Sequence, residues 1–470
     1  MPLTYYIETF GCQMNERDSE TIAALLERDG MRESVDPKKA DVIILNTCAV
    51  RETAESKVWS RLGRLYSWRR GEERLPVMVL SGCMAQIPEN LQRLRQRAPF
   101  VQVVAGPGNI HKIPGMVREA LCAQAIEPGT EPPTQRQAAA VTPPRVSARR
   151  DESTQVLPEG LPRKNIPGVS AYVTIMYGCD NFCSYCVVPY VRGPQVSRSR
   201  EAIRDEVADL VRRGYKEVTL LGQNVNAWGL DLPEKESFAD LLRDLNRIPG
   251  LARIRYFTSH PRDFTREMVD AVRDCGKVCE HFHLPLQSGS SRILTLMNRG
   301  YSPEQYLDLL AYVREAVPTS GITTDIIVGF PGETEEDFQE TLEVVRKARF
   351  DGAFTFIFSP RKGTAAAKMK GQIPRAEKSR RMQALVDLQS EVTRESNRAL
   401  LGNVFEILVE SRDPEEPGAV RGRTRSGKMV VATANASGGA QEAPPPVPGD
   451  LVKVRVEEAG TWYLKGPVVQ

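Results

Sequence analysis

Short apolar runs alternate with amphipathic segments along most of the 470-residue chain. In residues 1–122 the pattern repeats three times, because the runs YYIETFGC, DVIILNTC and VMVLSGC each end in a cysteine and precede a segment with helical periodicity. We call Cys12, Cys48 and Cys83 the strand-end cysteines. Their spacing of 36 and 35 residues fits one strand–helix unit each. Parallel strands gather ligands beyond their carboxyl ends, so we expect the three thiols to converge on one site.

A stretch without periodicity follows, at residues 123–165. It includes PGTEPPTQRQAAAVTPPRVSARRDESTQ, which is rich in Pro, Ala and polar residues. Because such a composition offers little apolar surface to bury, we predict a flexible linker.

A second alternation covers residues 166–398. Its six β-prone runs are AYVTIMY, EVTLLGQNV, RIRYFTS, HFHLPLQ, ITTDIIVGF and AFTFIFS. Amphipathic segments such as REAIRDEVADLVRR lie between them, and a long helical segment at residues 375–400 ends the series. Six apolar strands alternating with helices predict a partial (β/α)6 barrel, smaller than the eight-unit form. The repeats before the linker predict a parallel α/β domain on the same grounds.

The remaining residues, 399–470, form a different pattern. The runs NVFEILVES, MVVATA and GDLVKVRV are typical of strands in a small all-β barrel, a class of module that often binds oligonucleotides. This part is locally basic, since it contains Arg421, Arg423, Arg425, Lys428, Lys453, Arg455 and Lys465.

Composition narrows the class of protein. Hydrophobic residues make up 41% and charged residues 26% of the chain, as in an ordinary globular protein. No apolar run approaches the ~18 residues of a membrane span, and the start lacks a signal-peptide pattern. We therefore expect a cytoplasmic protein, and nothing in the sequence requires more than a monomer.

The net charge of +3 neither requires nor excludes a nucleic-acid partner. Clustered cysteines in the cytoplasm indicate metal or redox chemistry.

The stretch GCDNFCSYC contains three further cysteines, which we call the loop cysteines: Cys179, Cys183 and Cys186. A disulfide uses two thiols, and a zinc site uses four ligands that usually come from paired C-x-x-C arms. A 4Fe–4S cluster is held by thiolates, so three of them leave one iron open to a substrate or cofactor. The spacing favours such a cluster, with zinc and a distant fourth ligand as the alternative.

Several motifs identify a family. They stand here as IETFGCQMNERDSE, ILNTCAVRETAESK, SGCMAQ, YGCDNFCSYCVVPYVRG, LLGQNVNAWG, TSHPRD, HLPLQSGS and DIIVGFPGETEEDF. Together they resemble the methylthiotransferase family of radical S-adenosylmethionine (SAM) enzymes, over nearly the whole chain except the linker. Gln13-Met14-Asn15 after the first cysteine resembles the subgroup of tRNA-2-methylthio-N6-dimethylallyladenosine synthases. The C-terminal β-domain resembles the TRAM module, a small RNA-binding barrel.

The resemblance implies a cofactor set. The loop cysteines would hold a 4Fe–4S cluster whose open iron binds SAM in a radical-SAM barrel, and the strand-end cysteines would hold a second, auxiliary 4Fe–4S cluster. Buried structural thiols are the alternative for the strand-end cysteines.

Tyr185 would lie near the adenine of SAM, or else pack within its loop. Five residues at the ends of predicted barrel strands are expected to contact the cofactor, although glycine there also serves simply to turn the chain: Gly222, Gln223, Asn224, Gly329 and Gly332. Three other cysteines are expected to be buried or incidental: Cys122, Cys275 and Cys279.

The same resemblance implies an activity. The chain would add a methylthio group to carbon 2 of N6-isopentenyladenosine next to the anticodon of tRNA, using a 5′-deoxyadenosyl radical and two molecules of SAM. Its partners would be the tRNA anticodon loop, an electron donor such as flavodoxin or ferredoxin, and iron–sulfur assembly factors. The alternatives are a methylthiotransferase for threonylcarbamoyl-adenosine or a ribosomal protein, and a non-catalytic RNA-binding protein that contains metal.

Overall fold

The computed structural model describes residues 2–49, 52–69, 75–125, 145–146, 157–433 and 445–469. Most of the linker expected at residues 123–165 lies outside these ranges. The chain divides into two compact units. The first comprises Met1–Ile166, Tyr177–Asp180 and Cys186–Val196, and the second comprises Pro167–Met176, Asn181–Tyr185 and Ser197–Gln470.

The first unit is built on a parallel sheet in the order β2-β1-β3-β4-β5-β6. Its strands are β1 (Thr4–Phe10), β2 (Arg32–Glu33), β3 (Val42–Thr47), β4 (Val77–Gly82), β5 (Val101–Ala105) and β6 (Arg145–Val146). Its helices are α1 (Gln13–Arg28), α2 (Glu52–Arg69), α3 (Pro88–Arg97), α4 (Ile113–Ala125) and α5 (Val188–Arg192). The three predicted β-runs are confirmed as β1, β3 and β4. The sequence analysis did not identify β5 or the two short edge strands.

Both faces of this sheet are covered, which explains why its central strands are apolar throughout. Along β3, Val42 and Ile44 pack into one core, whereas Ile43 and Leu45 pack into a second core on the opposite face. This alternation follows from the two-residue period of a strand. A sheet buried on both sides presents only its edges and strand ends to other chemistry, so the carboxyl ends of β1, β3 and β4 are the accessible positions.

The second unit contains the six predicted barrel strands, all paired in parallel. Within the described residues they form the ladders β11-β10-β7 and β12-β13-β14, and no ladder joins β7 to β14. A bridge between Ile254 and Val278 connects the end of one ladder to the segment before β12. The strands are β7 (Ser170–Thr174), β10 (Glu217–Leu221), β11 (Arg253–Tyr256), β12 (His281–His283), β13 (Gly321–Val328) and β14 (Gly352–Ile357). Two-residue strands β8 (Met176–Tyr177) and β9 (Val196–Ser197) also occur. The partial (β/α)6 barrel is confirmed.

Helices alternate with these strands, and most begin where the sequence provides a cap. Side-chain oxygens of five Ser or Thr residues accept a backbone N–H of the first helical turn: Ser199, Ser237, Thr265, Ser302 and Thr334. The helices are α6 (Arg200–Arg212), α7 (Phe238–Asn246), α8 (Arg266–Asp274), α9 (Ser291–Leu296), α10 (Pro303–Ala316), α11 (Glu335–Ala348), α12 (Ala365–Lys368) and α13 (Arg375–Arg398). In the described part of the chain, no helix has the length and apolarity that crossing a membrane requires.

The C-terminal strands close into a small barrel with its own apolar core. Their order is β17-β16-β15-β18-β20-β19, and a parallel pairing of β17 with β20 closes the ring. They are β15 (Val404–Arg412), β16 (Val420–Thr424), β17 (Met429–Thr433), β18 (Leu451–Arg455), β19 (Glu458–Ala459) and β20 (Leu464–Val469). The three predicted strands are confirmed as β15, β17 and β18, and the predicted all-β barrel is correct.

Candidate functional site

The strand-end cysteines follow three adjacent strands of one parallel sheet. Cys12 is the N-cap residue of α1, two positions after β1 ends, while Cys48 and Cys83 directly follow β3 and β4. The last residues of the three strands are in register, Phe10 beside Thr47 and Thr47 beside Gly82. The sheet therefore brings three residues that are distant in sequence to the same edge.

Two asparagines join the segments that carry Cys12 and Cys48. The amide of Asn15, in the first turn of α1, donates to Asn46 Oδ1 (3.2 Å) and to the Thr47 carbonyl (3.1 Å). Asn46 in turn donates to the Asn15 carbonyl at 2.8 Å. The Asn15 Oδ1 atom lies 3.4 Å from both the Cys12 backbone nitrogen and its sulfur. Asn15 and Asn46 are fully buried, so the pair fixes the first cysteine relative to the second.

A close backbone approach fixes the third cysteine. Thr47 Oγ1 donates to the Ser81 carbonyl at 2.6 Å, and Gly82 follows with a φ of 92°. A Cβ atom on Gly82 would overlap the Thr47 carbonyl oxygen and lie 2.6 Å from Asn46 Oδ1. Only glycine fits this position, which explains the Gly that precedes Cys83.

A buried arginine contacts one strand-end cysteine. Arg192 Nε donates to the Cys83 sulfur at 3.2 Å, and Nη2 donates to Asp18 Oδ2 at 3.2 Å. Burial raises the pKa of the Cys83 thiol to about 11, an effect that Arg192 opposes and that the charges of Cys48 and Cys12 reinforce. Three thiols thus lie within electrostatic range of one another, beside a cation that stabilises negative charge on them. Arg192 was not among the residues predicted from the sequence, although it belongs to the YVRG stretch of a family motif.

The loop cysteines have separate surroundings in the two units. In the first unit, the Cys179 backbone nitrogen donates to the Gly193 carbonyl at 3.1 Å, and the Cys186 sulfur accepts the Val188 N–H at 3.5 Å. Gly178 has a φ of 68°, and a Cβ atom there would overlap the Gly193 and Pro194 carbonyl oxygens. The glycine before the first loop cysteine is therefore required by its backbone conformation.

In the second unit, Cys183 is buried and also contacts an arginine. Arg299 Nη1 donates to the Cys183 sulfur at 3.4 Å, and Nη2 donates to the Pro285 carbonyl at 3.1 Å. Arg299 Nε donates to the Tyr301 hydroxyl, and the guanidinium lies 5.3 Å from the centroid of the Tyr301 ring. Arg299 is 4% exposed. Arg299 was also not predicted from the sequence, because it lies 116 positions from Cys183.

Tyr185 packs within the second unit against a small apolar cluster that includes Phe330. Phe330 lies between Gly329 and Gly332, which have φ angles of 73° and 79°. The structure therefore brings Tyr185 next to the segment that follows β13, as expected if both contact one ligand. Whether they bind SAM stays a prediction.

The segment between Gly329 and Gly332 is anchored by a buried ion pair. Glu333 Oε2 accepts the Gly329 N–H at 2.7 Å and lies 2.6 Å from Arg381 Nη1. Burial raises the pKa of Glu333, whereas the bonds to Arg381 and Gly329 lower it, and the net direction is upward. Glu333 precedes the Thr334 cap rather than lying in the first turn of α11. Its carboxylate holds the glycine turn in place.

The segment Gly222-Gln223-Asn224 directly follows β10. A Cβ atom on Gly222 would lie 2.6 Å from the Met176 Cγ atom. Asn224 is buried, its Nδ2 donates to Asp263 Oδ2 at 2.8 Å, and its Oδ1 accepts the His260 N–H at 3.1 Å. The amide of Asn224 thus joins the loops after β10 and β11. Contact of this segment with a cofactor stays a prediction.

Which metal group the two sets of cysteines hold stays a prediction, and zinc and an iron–sulfur cluster place different demands on the sulfurs. In the ranges that the structure describes, no set of three or more Cys, His, Asp or Glu side chains forms a site for one metal ion. A zinc ion would require every sulfur to lie about 2.3 Å from the same point. In a cube-type cluster each thiolate binds a different iron, so the sulfurs stay further apart. N–H groups directed at Cys83, Cys183 and Cys186 sulfurs are the contacts that stabilise such clusters.

The remaining cysteines lie away from these contacts. Cys275 and Cys279 are buried in the second unit, as expected, whereas Cys122 is exposed on α4.

Most of the basic residues in the C-terminal barrel are engaged in ion pairs. The pairs are Arg421 with Asp413, Arg423 with Glu410, Arg425 with Glu280, Lys428 with Asp351, and Lys465 with Glu416. Lys453 and Arg455 are exposed at alternate positions of β18, and neither has an ion-pair partner within the described ranges. Of the seven basic residues noted in the sequence, these two are therefore exposed without an ion-pair partner in the described part of the chain, as is Arg412 at the end of β15.

Comparison with known proteins gives consistent matches for all three parts. Residues 173–345 match the profile of the Radical SAM superfamily, residues 4–106 match that of the uncharacterized protein family UPF0004, and residues 398–469 match the TRAM domain. The tRNA-2-methylthio-N(6)-dimethylallyladenosine synthase of Moorella thermoacetica is 46% identical over 466 residues, which cover 99% of this chain and 98% of the relative. The enzyme of the same name from Carboxydothermus hydrogenoformans is 46% identical over 466 residues, covering 99% of both chains.

Solved structures support the fold. The radical SAM methyltransferase TsrM from Kitasatospora setae, with cobalamin and a [4Fe–4S] cluster bound, matches with a TM-score of 0.53 and 15% identity, over 78% of this chain and 74% of TsrM. A second structure of TsrM, with tryptophan and a SAM analogue, gives a TM-score of 0.52 at 16% identity, over 76% of this chain and 73% of TsrM. At this identity the likeness concerns the fold alone.

Proposed function

This chain belongs to the family of tRNA-2-methylthio-N(6)-dimethylallyladenosine synthases among the radical SAM enzymes, and we propose that it adds a methylthio group to carbon 2 of N6-isopentenyladenosine next to the anticodon of tRNA. The similarity along 99% of the chain carries this proposal, because the matched span extends over both groups of cysteines and the part that matches the TRAM domain. Carbon 2 of adenine has no useful acidity, so proton abstraction by a side chain is a poor route to substitution there. A radical enzyme is suited to replace this C–H bond with a C–S bond.

The six cysteines would hold the cofactors of this reaction. When bound, the cluster on the loop cysteines supplies a 5′-deoxyadenosyl radical from SAM, and the cluster on the strand-end cysteines supplies the place where a second SAM methylates sulfur. The chain's own contribution is to bind and shield these groups. Arg299 and Arg192 direct N–H groups at one cysteine sulfur in each set. The glycine turn held by Glu333, together with Tyr185, would contact SAM.

The C-terminal barrel would bind tRNA. A TRAM domain profile matches this part, and phosphate contacts by exposed Lys or Arg supply most of the affinity of such modules. Lys453 and Arg455 point outward from β18, and the neighbouring strand places Val404 beside Arg455 and Glu406 beside Lys453. Glu406 is bound to Arg253 at 2.9 Å, so its charge is already compensated. Among the described residues, the outer face of β18 thus presents two neighbouring positive charges without an ion-pair partner.

The cellular setting follows from the substrate. A tRNA-modifying enzyme would work in the cytoplasm, with flavodoxin or ferredoxin as electron donor and with iron–sulfur assembly factors that load its clusters.

Nucleoside mass spectrometry tests this function directly. tRNA from cells that lack the gene should lose 2-methylthio-N6-isopentenyladenosine and accumulate the unthiolated nucleoside. The wild-type gene and a Cys122→Ala variant, altered at an exposed cysteine outside both sets, should restore the modification, whereas Cys83→Ala and Cys183→Ala should not. An unchanged 2-methylthio-isopentenyl signal in the deletion strain would overturn the proposal. Loss of the 2-methylthio form of threonylcarbamoyl-adenosine would instead identify the related substrate.

A second measurement tests the radical chemistry. Purified protein with SAM and a reductant should release 5′-deoxyadenosine, and a variant without the loop cysteines should not. If the reconstituted wild type releases none, the chain is a binding protein rather than a radical enzyme.

A further inference from the structure

A short helix in the first unit connects a loop cysteine to a strand-end cysteine. Cys186 is two residues from the start of α5, and Arg192 is the last residue of this helix. The Arg192 side chain is 5% exposed, donates from Nε to the Cys83 sulfur, and donates from Nη2 to Asp18. The Asp18 side chain, on α1, is 4% exposed. Arg192 therefore has two buried partners, one of them a proposed cluster ligand.

Packing on both sides fixes the position of this arginine. Val187 and Val191 pack with Cys83 in one apolar cluster, so α5 lies directly against the segment that carries Cys83. After Arg192 the chain turns at Gly193, which has a φ of 79°. The Gly193 carbonyl then accepts the Cys179 N–H. The backbone is thus held before and after Arg192, and the buried guanidinium is held by its bonds to Cys83 and Asp18.

The charge of Arg192 is directed at the strand-end site. A fully buried guanidinium is strongly disfavoured unless anions face it. Burial lowers the pKa of Arg192, but the charges of Cys83, Asp18 and Cys12 more than offset this effect, so that the pKa is raised above its ordinary value. The Cys83 sulfur carries a negative charge only as a thiolate, which is the form that would bind a cluster. Asp18 neutralises part of the positive charge, and the remainder acts on the sulfurs.

We propose that Arg192 is a positioning residue for the strand-end cluster: it orients Cys83 and raises the reduction potential of that cluster, while Asp18 limits the increase. This inference depends on the auxiliary cluster of the proposed function. Reduction adds negative charge to a cluster, so an adjacent cation and an N–H donated to a cluster sulfur both favour the reduced form. Removing the cation should lower the potential, and removing its carboxylate partner should raise it.

Arg299 provides the matched control. It is similarly buried and donates to a cysteine sulfur, but its target is Cys183 of the loop set. If each arginine acts on its own cluster, then a change at Arg299 leaves the potential of the strand-end cluster unaltered. If these substitutions acted only by destabilising the protein, Arg299→Met would change the potential of the strand-end cluster as well.

The experiment measures the potential of the strand-end cluster in the absence of the loop cluster. A full-length variant with the three loop cysteines changed to alanine keeps only the strand-end cluster, and about four irons per chain should remain. In this background, potentiometric titration followed by electron paramagnetic resonance is performed for Arg192→Met, Arg192→Lys, Asp18→Asn, Arg299→Met and the double change Asp18→Asn/Arg192→Met.

The expected order of midpoint potentials runs from Asp18→Asn, the highest, through the parent and the double variant to Arg192→Met. At a fixed potential near the parent midpoint, the ratio of reduced to oxidised cluster should fall about tenfold in Arg192→Met. Arg192→Lys should recover part of the loss, and Arg299→Met should match the parent. The double variant contains no unpaired buried charge, so it tests the proposal even if Arg192→Met loses its iron.

One result would overturn the role of Arg192, and a different result would overturn the auxiliary cluster. Equal potentials in the parent, Asp18→Asn and the double variant, with iron retained, would overturn the role of Arg192. A parent that binds no iron after anaerobic reconstitution would instead overturn the auxiliary cluster, and with it the proposed function.

Discussion

The two sets of cysteines reach a similar local environment by different routes. The loop cysteines lie within eight consecutive positions, so the backbone of one short segment keeps them near one another. The strand-end cysteines come from three strands, and their arrangement depends on Asn15, Asn46 and the close approach at Gly82. In both sets one sulfur accepts an N–H from a buried arginine. A local motif and a long-range one can thus provide comparable surroundings for a cluster.

The arginines differ in what neutralises them. Arg192 is paired with the Asp18 carboxylate, whereas the other partners of Arg299 are the Pro285 carbonyl and the hydroxyl and ring of Tyr301. A carboxylate cancels much of a neighbouring positive charge, while a dipole or an aromatic ring cancels less. The cation beside the loop set should therefore act more strongly on its sulfurs than the cation beside the strand-end set. This difference would suit a cluster that must accept an electron before each turnover.

Removing either set of cysteines should have the largest effect. We expect about eight irons per chain in the reconstituted wild type and about four after either triple change to alanine. Both variants should lose tRNA methylthiolation, but only the loop variant should also lose 5′-deoxyadenosine formation. Iron analysis and product chromatography check this prediction. About four irons in the wild type would mean that one of the two sets does not bind a cluster.

Changing Gly82 to alanine should damage only the strand-end set. The added Cβ would overlap the Thr47 carbonyl oxygen in a backbone conformation that alanine adopts poorly, so the free energy of unfolding should fall by about 3 kcal/mol. Iron bound by the strand-end cysteines should decrease as well. Gly63→Ala is the control, because Gly63 is exposed on α2 and a Cβ there meets nothing within 4 Å. Equal urea denaturation curves for the two variants would contradict the role of Gly82.

Replacing the two arginines compares the clusters directly. In a chain that keeps only the loop set, Arg299→Met should lower the cluster potential by more than Arg192→Met does in the chain that keeps only the strand-end set. The reason is that Asp18 compensates part of the Arg192 charge. Potentiometric titration checks the order, and a larger shift at the strand-end cluster would show that the carboxylate does not moderate Arg192.

Changes on the outer face of β18 should leave both cysteine sets intact. Lys453→Ala/Arg455→Ala should weaken tRNA binding about tenfold at low salt and reduce the slope of log K against log salt by about two. Iron content and 5′-deoxyadenosine formation without tRNA should be unchanged. Arg421→Ala/Arg423→Ala is the matched control, since these arginines are already paired with Asp413 and Glu410. Binding that weakens equally in both double variants would remove β18 as the contact surface.

The smallest effect concerns an acid in the second unit. Burial raises the pKa of Asp337, but hydrogen bonds from Arg292, Ser290 and Thr334 outweigh it and hold the pKa at about 2. Because the folded pKa is below the unfolded value of about 3.9, this carboxylate stabilises the fold above pH 4 and loses its contribution as the pH falls towards 2.

Asp337→Asn should therefore lower the free energy of unfolding near pH 7 by about 1 kcal/mol. The difference from the wild type should narrow below about pH 4, as measured by urea denaturation. Asp308→Asn, at an exposed position of α10, is the control for the exchange of Asp for Asn itself. A constant difference across this range would exclude ionisation as the cause.

The sequence by itself determined the elements and the identity of the chemistry. Apolar runs of strand length that alternate with capped amphipathic helices were sufficient for the parallel sheet, the six barrel strands and three strands of the C-terminal barrel. These features follow from the two-residue and 3.6-residue periods of local structure. The two-residue strands β2, β6, β9 and β19 were missed, because two residues leave no detectable period, and the longer strands β5, β16 and β20 were missed as well. The loop cysteines needed no tertiary information, since their spacing is local.

Only the tertiary structure decided which distant residues contact the two sets of cysteines. Arg192 and Cys83 are 109 positions apart, and Arg299 and Cys183 are 116 positions apart. No periodic pattern relates residues at such separations, and an arginine has the same appearance in sequence whether it is buried against a sulfur or exposed. The same holds for the C-terminal barrel, where composition indicated seven basic residues and the folded chain pairs five of them with acids. Local periodicity is encoded in neighbouring residues, whereas charge partners are selected by how the elements pack.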